Sequence, residues 1–228
     1  MRRAISVAVC ALLCAAPAAT AKVREVDPGG MRGLDSASQV IVVGTSSMRT
    51  THATARTYER VDGKWRIVRR AMAARVGYNG LSRPTRRHAG DGTTPIGNSG
   101  FVYGFGARSD PGMSGFKWRS LRGPSDCWSG TRRKYNRWVR RTPCARQDEP
   151  LWPSAGLAYR YAAVIDFNYR RPVYGRGSGI FLHVMKNGPT AGCVSLREGE
   201  LVPVLRWMRP GVRIVIGPAS YLESLKRS

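Results

Sequence analysis

Gly179–Leu196 reads G-I-F-L-H-V-M-K-N-G-P-T-A-G-C-V-S-L. It opens as an apolar run whose alternation puts Ile180, Leu182 and Val184 on one face of a strand and Phe181 and His183 on the other. A Thr-Ala-Gly turn follows and leads into Cys193, ten positions after the histidine. Ser195 and Glu198 have the spacing of a capping box, and Leu201, Val204, Leu205 and Met208 recur at helical spacing. Strand, turn and helix are therefore predicted in that order, with Cys193 just ahead of the helix's positive end. A thiol beside an imidazole is the minimum apparatus for covalent acyl transfer. A free thiol with a pKa of ~8.5 loses its proton more readily next to such a base or a helix N-terminus. Gly192 permits a tight turn, and the amides of Gly192 and Cys193 are the expected oxyanion hole. The bland alternatives are an inert buried thiol and a hydrogen-bonded strand histidine; the grouping of histidine, glycine and helix start favours chemistry.

The flanking sequence is mostly strand-like. Gln39 to Gly44 reads as a buried strand, and Ala53–Tyr58 and Lys64–Arg69 as two strands joined near Asp62-Gly63, a hairpin signal. Ala73–Tyr78 reads as a further strand ended by Asn79-Gly80, and Leu81–Gly100 as mostly loop. Residues 109–153 carry Trp118, Trp128, Trp138 and Trp152 among many arginines without clear periodicity, the pattern of a long ordered excursion forming a lid or substrate wall. Tyr159–Asn168 regains strand character, Pro210-Gly211 stops the helix, and Val212–Ile216 makes a last strand. The fold class is mainly β with one or two helices (α+β).

The N-terminus has Arg2 and Arg3, an apolar stretch from Ile5 to Ala16, and Ala19-Thr20-Ala21 at its end, so residues 1–21 read as a secretory signal peptide. Residues 22–38 read as an irregular leader, 39–218 as the folded domain and 219–228 as a C-terminal tail. No later segment reads as transmembrane, and export to the cell surface is expected. The formal charge is +24. Such a charge attracts polyanions, for an exported protein anionic wall polymers, although arginine that merely coats a solvated surface would give the same number. The basic residues are spread along the chain and no nucleic-acid motif accompanies them, so no specific nucleic-acid partner is expected. Of the three cysteines beyond the signal peptide, Cys127 and Cys144 are candidates for a disulfide and Cys193 for the free thiol. His52 and His88 lie in polar, arginine-rich segments and read as surface residues; His183 and Cys193 alone are too few for a zinc site. No metal or cofactor is expected, and a monomer is.

F-L-H-V (Phe181–Val184) with T-A-G-C-V-S-L (Thr190–Leu196) resembles the YkuD-type L,D-transpeptidase catalytic domain, in its exported actinobacterial branch. V-G-Y-N-G (76–80), D-G-T-T-P-I-G (91–97), D-C-W (126–128) and Y-R-Y-A-A-V-I-D-F-N (159–168) agree with it, so the resemblance covers roughly residues 39–218. Papain-like peptidases place cysteine before histidine, and sortases separate the two widely. The resemblance implies a β-sandwich in which Cys193 is the nucleophile, His183 the general base and Gly192 part of the oxyanion hole. It implies attack on peptidoglycan peptide stems, with an acyl-enzyme resolved by a neighbouring side-chain amine into a 3→3 cross-link. Thr190, Ser195 and Tyr161 are assigned to the substrate cleft.

The chain departs from the family motif at two positions. Ala191 stands where the family has a second histidine, and Ser195 where a basic residue is common. Transpeptidation, hydrolysis of stems as an L,D-carboxypeptidase or endopeptidase, and a non-catalytic basic wall-binding scaffold remain the readings to separate. The group that orients the imidazole is open between a backbone carbonyl, Tyr161 and Asn168.

Overall fold

Asp62 and Gly63 have φ values of 50° and 73°, a left-handed pair that matches the twist of a two-residue hairpin turn. In the computed structural model, which describes residues 23–226, this turn joins β2 (His52–Val61) to β3 (Lys64–Arg75), packed beside β1 (Gln39–Thr45). The signal-peptide assignment lies outside the described residues. The chain continues through β4 (Leu81–Ser82), β5 (Thr94–Pro95), β6 (Gly97–Ser99), β7 (Phe101–Gly106), β8 (Trp118–Ser120), β9 (Asp126–Ser129), β10 (Arg137–Arg140) and β11 (Glu149–Pro150). It ends with β12 (Ala162–Ile165), β13 (Phe181–Val184), β14 (Val194–Leu196), α1 (Glu198–Trp207), β15 (Arg213–Pro218) and α2 (Ala219–Ser224).

Ten strands form one mixed sheet in the order β6-β15-β1-β2-β3-β14-β13-β12-β7-β8. The sheet curls: Ile214 and Ile216 from one end share a hydrophobic cluster with Phe101 and Ile165 from the other, filled in by Leu201, Val204, Leu205 and Met208 around α1. The β13 alternation delivers Ile180, Leu182 and Val184 to that cluster. Phe181 goes to the opposite face, with Phe105, Trp128, Leu151, Tyr159 and Cys193. A third cluster joins Val26, Met31, Leu34 and Ala37 to Val40, Val42, Tyr58, Val215 and Leu222. The leader is thus irregular but packed, and the tail segment carries α2.

Three local readings change. Residues 73–75 do not begin a new strand; they prolong β3, because its partner β2 extends to His52, which pairs with Arg75. Residues 81–100 contain two short pairings, β4 with β5 and β6 with β15. Ser195 does not cap the helix: it is claimed by strand pairing on both sides, opposite His183 of β13 and Arg75 of β3. The helix begins at Glu198 with no side-chain cap at Arg197, and Glu198 and Glu200 in its first turn complement the dipole instead.

The excursion is a folded layer. β9 sits between β10 and β11, and a Cys127–Cys144 disulfide ties the layer together. Asp126 is fully buried there. Burial alone would raise its pKa, but the N–H groups of Arg122 and Gly123 and the Arg140 guanidinium hold it below the usual carboxylate range. Cross-linking a loop of this size removes ~3 kcal/mol of unfolded-state freedom. The double replacement Cys127→Ser/Cys144→Ser is expected to lower the thermal midpoint by roughly 6–12 °C. An unchanged midpoint would mean that packing alone holds the layer.

Candidate active site

The Cys193 loop is held by its own carbonyl. Thr190 Oγ1 and Thr94 Oγ1 donate to Cys193 O at 2.6 and 3.1 Å, so Thr190 fixes the Cys193 backbone. Gly192 N–H donates to Thr190 Oγ1 at 3.1 Å. Gly192 has φ 137°, and a Cβ there would lie 2.8 Å from Thr93 O, so only glycine fits. The loop then enters β14, which runs parallel to β13 with Leu182 opposite Val194 and His183 opposite Ser195. Cys193 and His183 consequently share the sheet face turned toward the excursion, as diagonal neighbours on adjacent strands.

Both side chains are nearly buried and line one cleft of about 760 Å³, bounded by the excursion and the 174–191 region. That volume suits a small-molecule or peptide ligand. Cys193 Sγ donates to Gly179 O and accepts from Phe181 N–H, each at 3.3 Å. His183 Nδ1 lies 2.8 Å from Val184 O. A carbonyl only accepts, so Nδ1 carries the proton and Nε2 keeps its lone pair. The orienting group left open by the sequence is therefore a backbone carbonyl. Asn168 instead braces a loop through Val173 O and Gly177 O.

Among the described residues no hydrogen bond joins Sγ to the imidazole; the thiol is turned to Gly179. Nor is the thiol acidified. Burial, and then the nearby Glu149, push its pKa up to about 12, against the weaker pull of Phe181 N–H and Arg87. Burial pulls His183 down to about 4. The expected easing of thiol ionisation is corrected for this structure: both groups are neutral at pH 7, and with Ser195 in a strand the positive end of α1 starts five residues beyond the sulfur.

The amino-acid sequence matches the family model of the L,D-transpeptidase catalytic domain, YkuD, over residues 38–216. The chain belongs to the YkuD family. Two solved structures of the helical cell shape determining protein Pgp2 from Campylobacter jejuni, one of them a point mutant, resemble this YkuD domain with a TM-score of 0.41. The mutant is 16% identical and the other 14%, and each match covers 79% of this chain. The chain spans about half the length of those neighbours, 47% and 48%. No curated protein sequence matches.

Around the YkuD cysteine the structure adds residues that the sequence did not single out. Tyr161 is turned away, packed against Trp118 and the α1 cluster; Tyr159 takes the cleft position, its ring edge-on to His183 at 5.7 Å. The Tyr159 hydroxyl donates to Glu149 Oε1. Arg87 is buried beside Gly192, with Nη1 donating to Asp91 Oδ1 (3.1 Å) and Thr93 Oγ1 (3.2 Å). Burial lowers its pKa, although Asp91 opposes the shift. The D-G-T-T-P segment was the available signal for this anchor, since Asp91 and Thr93 belong to it. Ser195 Oγ lines the cleft, buried and without a hydrogen-bond partner. Of the excursion's tryptophans, Trp128 lines the cleft and Trp152 is exposed.

Proposed function

We propose that this protein is an exported, cell-wall-associated cysteine acyltransferase that forms 3→3 cross-links between peptidoglycan peptide stems through a Cys193 acyl-enzyme. The observation that carries the reading is a free cysteine and a neutral histidine on one face of adjacent strands, lining one cleft in a domain of the L,D-transpeptidase family. Among the described residues no helix is long and apolar enough to cross a membrane.

In this reading His183 Nε2 is the general base. A resting thiol with a high pKa needs no thiolate in the free enzyme: the sulfur turns from Gly179 O to Nε2 as substrate enters, its proton moves to Nε2 as the C–S bond forms, and His183 then gives that proton to the leaving amine as the peptide C–N bond breaks. Gly192 N–H is committed to Thr190, so the oxyanion's backbone donor is the Cys193 amide. Arg87, pressed against Gly192, lends positive charge to the same corner. Gly192 serves by its shape, bringing that charge close.

The test is product analysis. Purified protein incubated with disaccharide-tetrapeptide stems is expected to give 3→3 dimers and a Cys193-linked acyl mass. Trimmed monomers alone would replace transpeptidation by hydrolysis, and no change to the stems would leave the wall-binding scaffold.

A further inference from the structure

Glu149 comes from the two-residue strand β11, which pairs with Trp128 and Cys127 of β9. Its Oε2 lies 3.3 Å from where a Cβ on Gly179 would stand, and Gly179 O is the acceptor for Cys193 Sγ. Its Oε1 takes the hydrogen bond from Tyr159, whose ring meets His183. The excursion thus sets one carboxylate over the nucleophile. The neighbouring acid, Asp148, is consumed by structure: Arg141 Nε and the N–H groups of Gly130 and Ala145 occupy both its oxygens. Glu149 is exposed along the cleft, and the protein crowded around its carboxylate raises its pKa above the usual carboxylate value, against the Tyr159 hydrogen bond.

A negative charge here works against the first half of the proposed reaction, because it opposes thiolate formation at Cys193. It favours a step in which positive charge arrives. The chain as a whole carries +24 and repels cations, so an ammonium group needs a local anion to enter.

We propose that Glu149 is the acceptor-side residue of this cleft: it binds the ammonium of an incoming primary amine and takes its proton. This inference rests on the acyltransferase reading. The ammonium gives one proton to the Glu149 carboxylate. The free amine then attacks the thioester carbonyl, forming the C–N bond as the C–S bond breaks. The second nitrogen proton passes through His183 Nε2 to the departing sulfur, and Glu149 returns its proton to solvent. Water, being uncharged, gains no attraction from Glu149.

Glu149→Gln keeps an oxygen for the Tyr159 hydroxyl but removes the charge and the base. The full chain, wild type and E149Q, is acylated with a tetrapeptide stem, and transfer to a stem bearing a free side-chain amine is measured beside hydrolysis. E149Q is expected to acylate at least as fast as wild type, because the charge that opposes thiolate formation is gone, but to transfer ~100-fold less at pH 7. Transfer should recover near pH 10, where an amine with a pKa of ~10.4 is deprotonated without help. Hydroxylamine, neutral at pH 7, should attack both acyl-enzymes equally. Equal transfer by wild type and E149Q, or a parallel fall in acylation and hydroxylamine attack, would overturn the assignment while leaving the acyltransferase reading intact. Absence of a Cys193 acyl-enzyme in wild type would remove both.

Discussion

Cys193→Ala is expected to lose turnover by about 10⁴–10⁶-fold, because the side chain that forms the covalent bond has no substitute in the cleft. The fold should survive. The sulfur makes two hydrogen bonds to backbone groups of the same sheet region, Gly179 O and Phe181 N–H, and losing them costs about 1–2 kcal/mol. Intact-mass measurement with a thiol-reactive β-lactam such as a carbapenem gives a second readout. Wild type should carry one stable adduct on Cys193, while Cys193→Ala should carry none. Cys127 and Cys144 are bonded to each other and offer no competing thiol. An adduct elsewhere, or turnover retained by the variant, would end the nucleophile assignment.

His183→Gln is the second large effect, a fall of about 10²–10⁴-fold in acylation. Its pH behaviour follows from two opposed shifts. With the imidazole at about 4 and the thiol at about 12, acylation by wild type should fall as pH drops through about 4, where Nε2 becomes protonated. It should hold a broad plateau above that. The variant should lack the plateau and depend on hydroxide alone. Stability moves with the same group. The folded imidazole binds its proton less readily than the unfolded one, whose pKa is ~6.5, so the stabilisation from its neutral form is present above ~6.5 and is lost as pH falls toward about 4. The Gln variant should show a shallower loss of thermal midpoint across that window. Identical pH profiles of acylation for wild type and variant would sink the dyad.

How far the chain was legible depended on whether a signal was periodic. Alternation across Ile180–Val184 placed His183 on the correct sheet face because side-chain direction in a strand depends on parity alone. Asp62-Gly63 announced the hairpin through its left-handed backbone. Ser195 with Glu198 misled because the capping-box spacing is local, whereas pairing with both β13 and β3 is not. Tyr161 and Tyr159 differ by two positions and would share one face of a continuous strand, but β12 begins only at Ala162, and the turn before it sends the two rings to different sides. Glu149 was invisible: a strand of two residues has no period, and its importance comes from where β9 carries it. Asp91 and Thr93 in D-G-T-T-P signalled an anchor for Arg87, but the closing of Arg87 against Gly192 is a contact that spacing does not encode.

The sulfur of Cys193 is shielded as well as placed. With a pKa of about 12 it exists as thiolate in only about one molecule in 10⁵ at pH 7, and it is the thiolate that attacks peroxides and disulfides. In surroundings oxidising enough to join Cys127 to Cys144, the neutral Cys193 thiol is therefore expected to stay reduced. In the proposed mechanism an occupied cleft releases its reactivity, so the protein can wait in a hostile medium without losing its warhead.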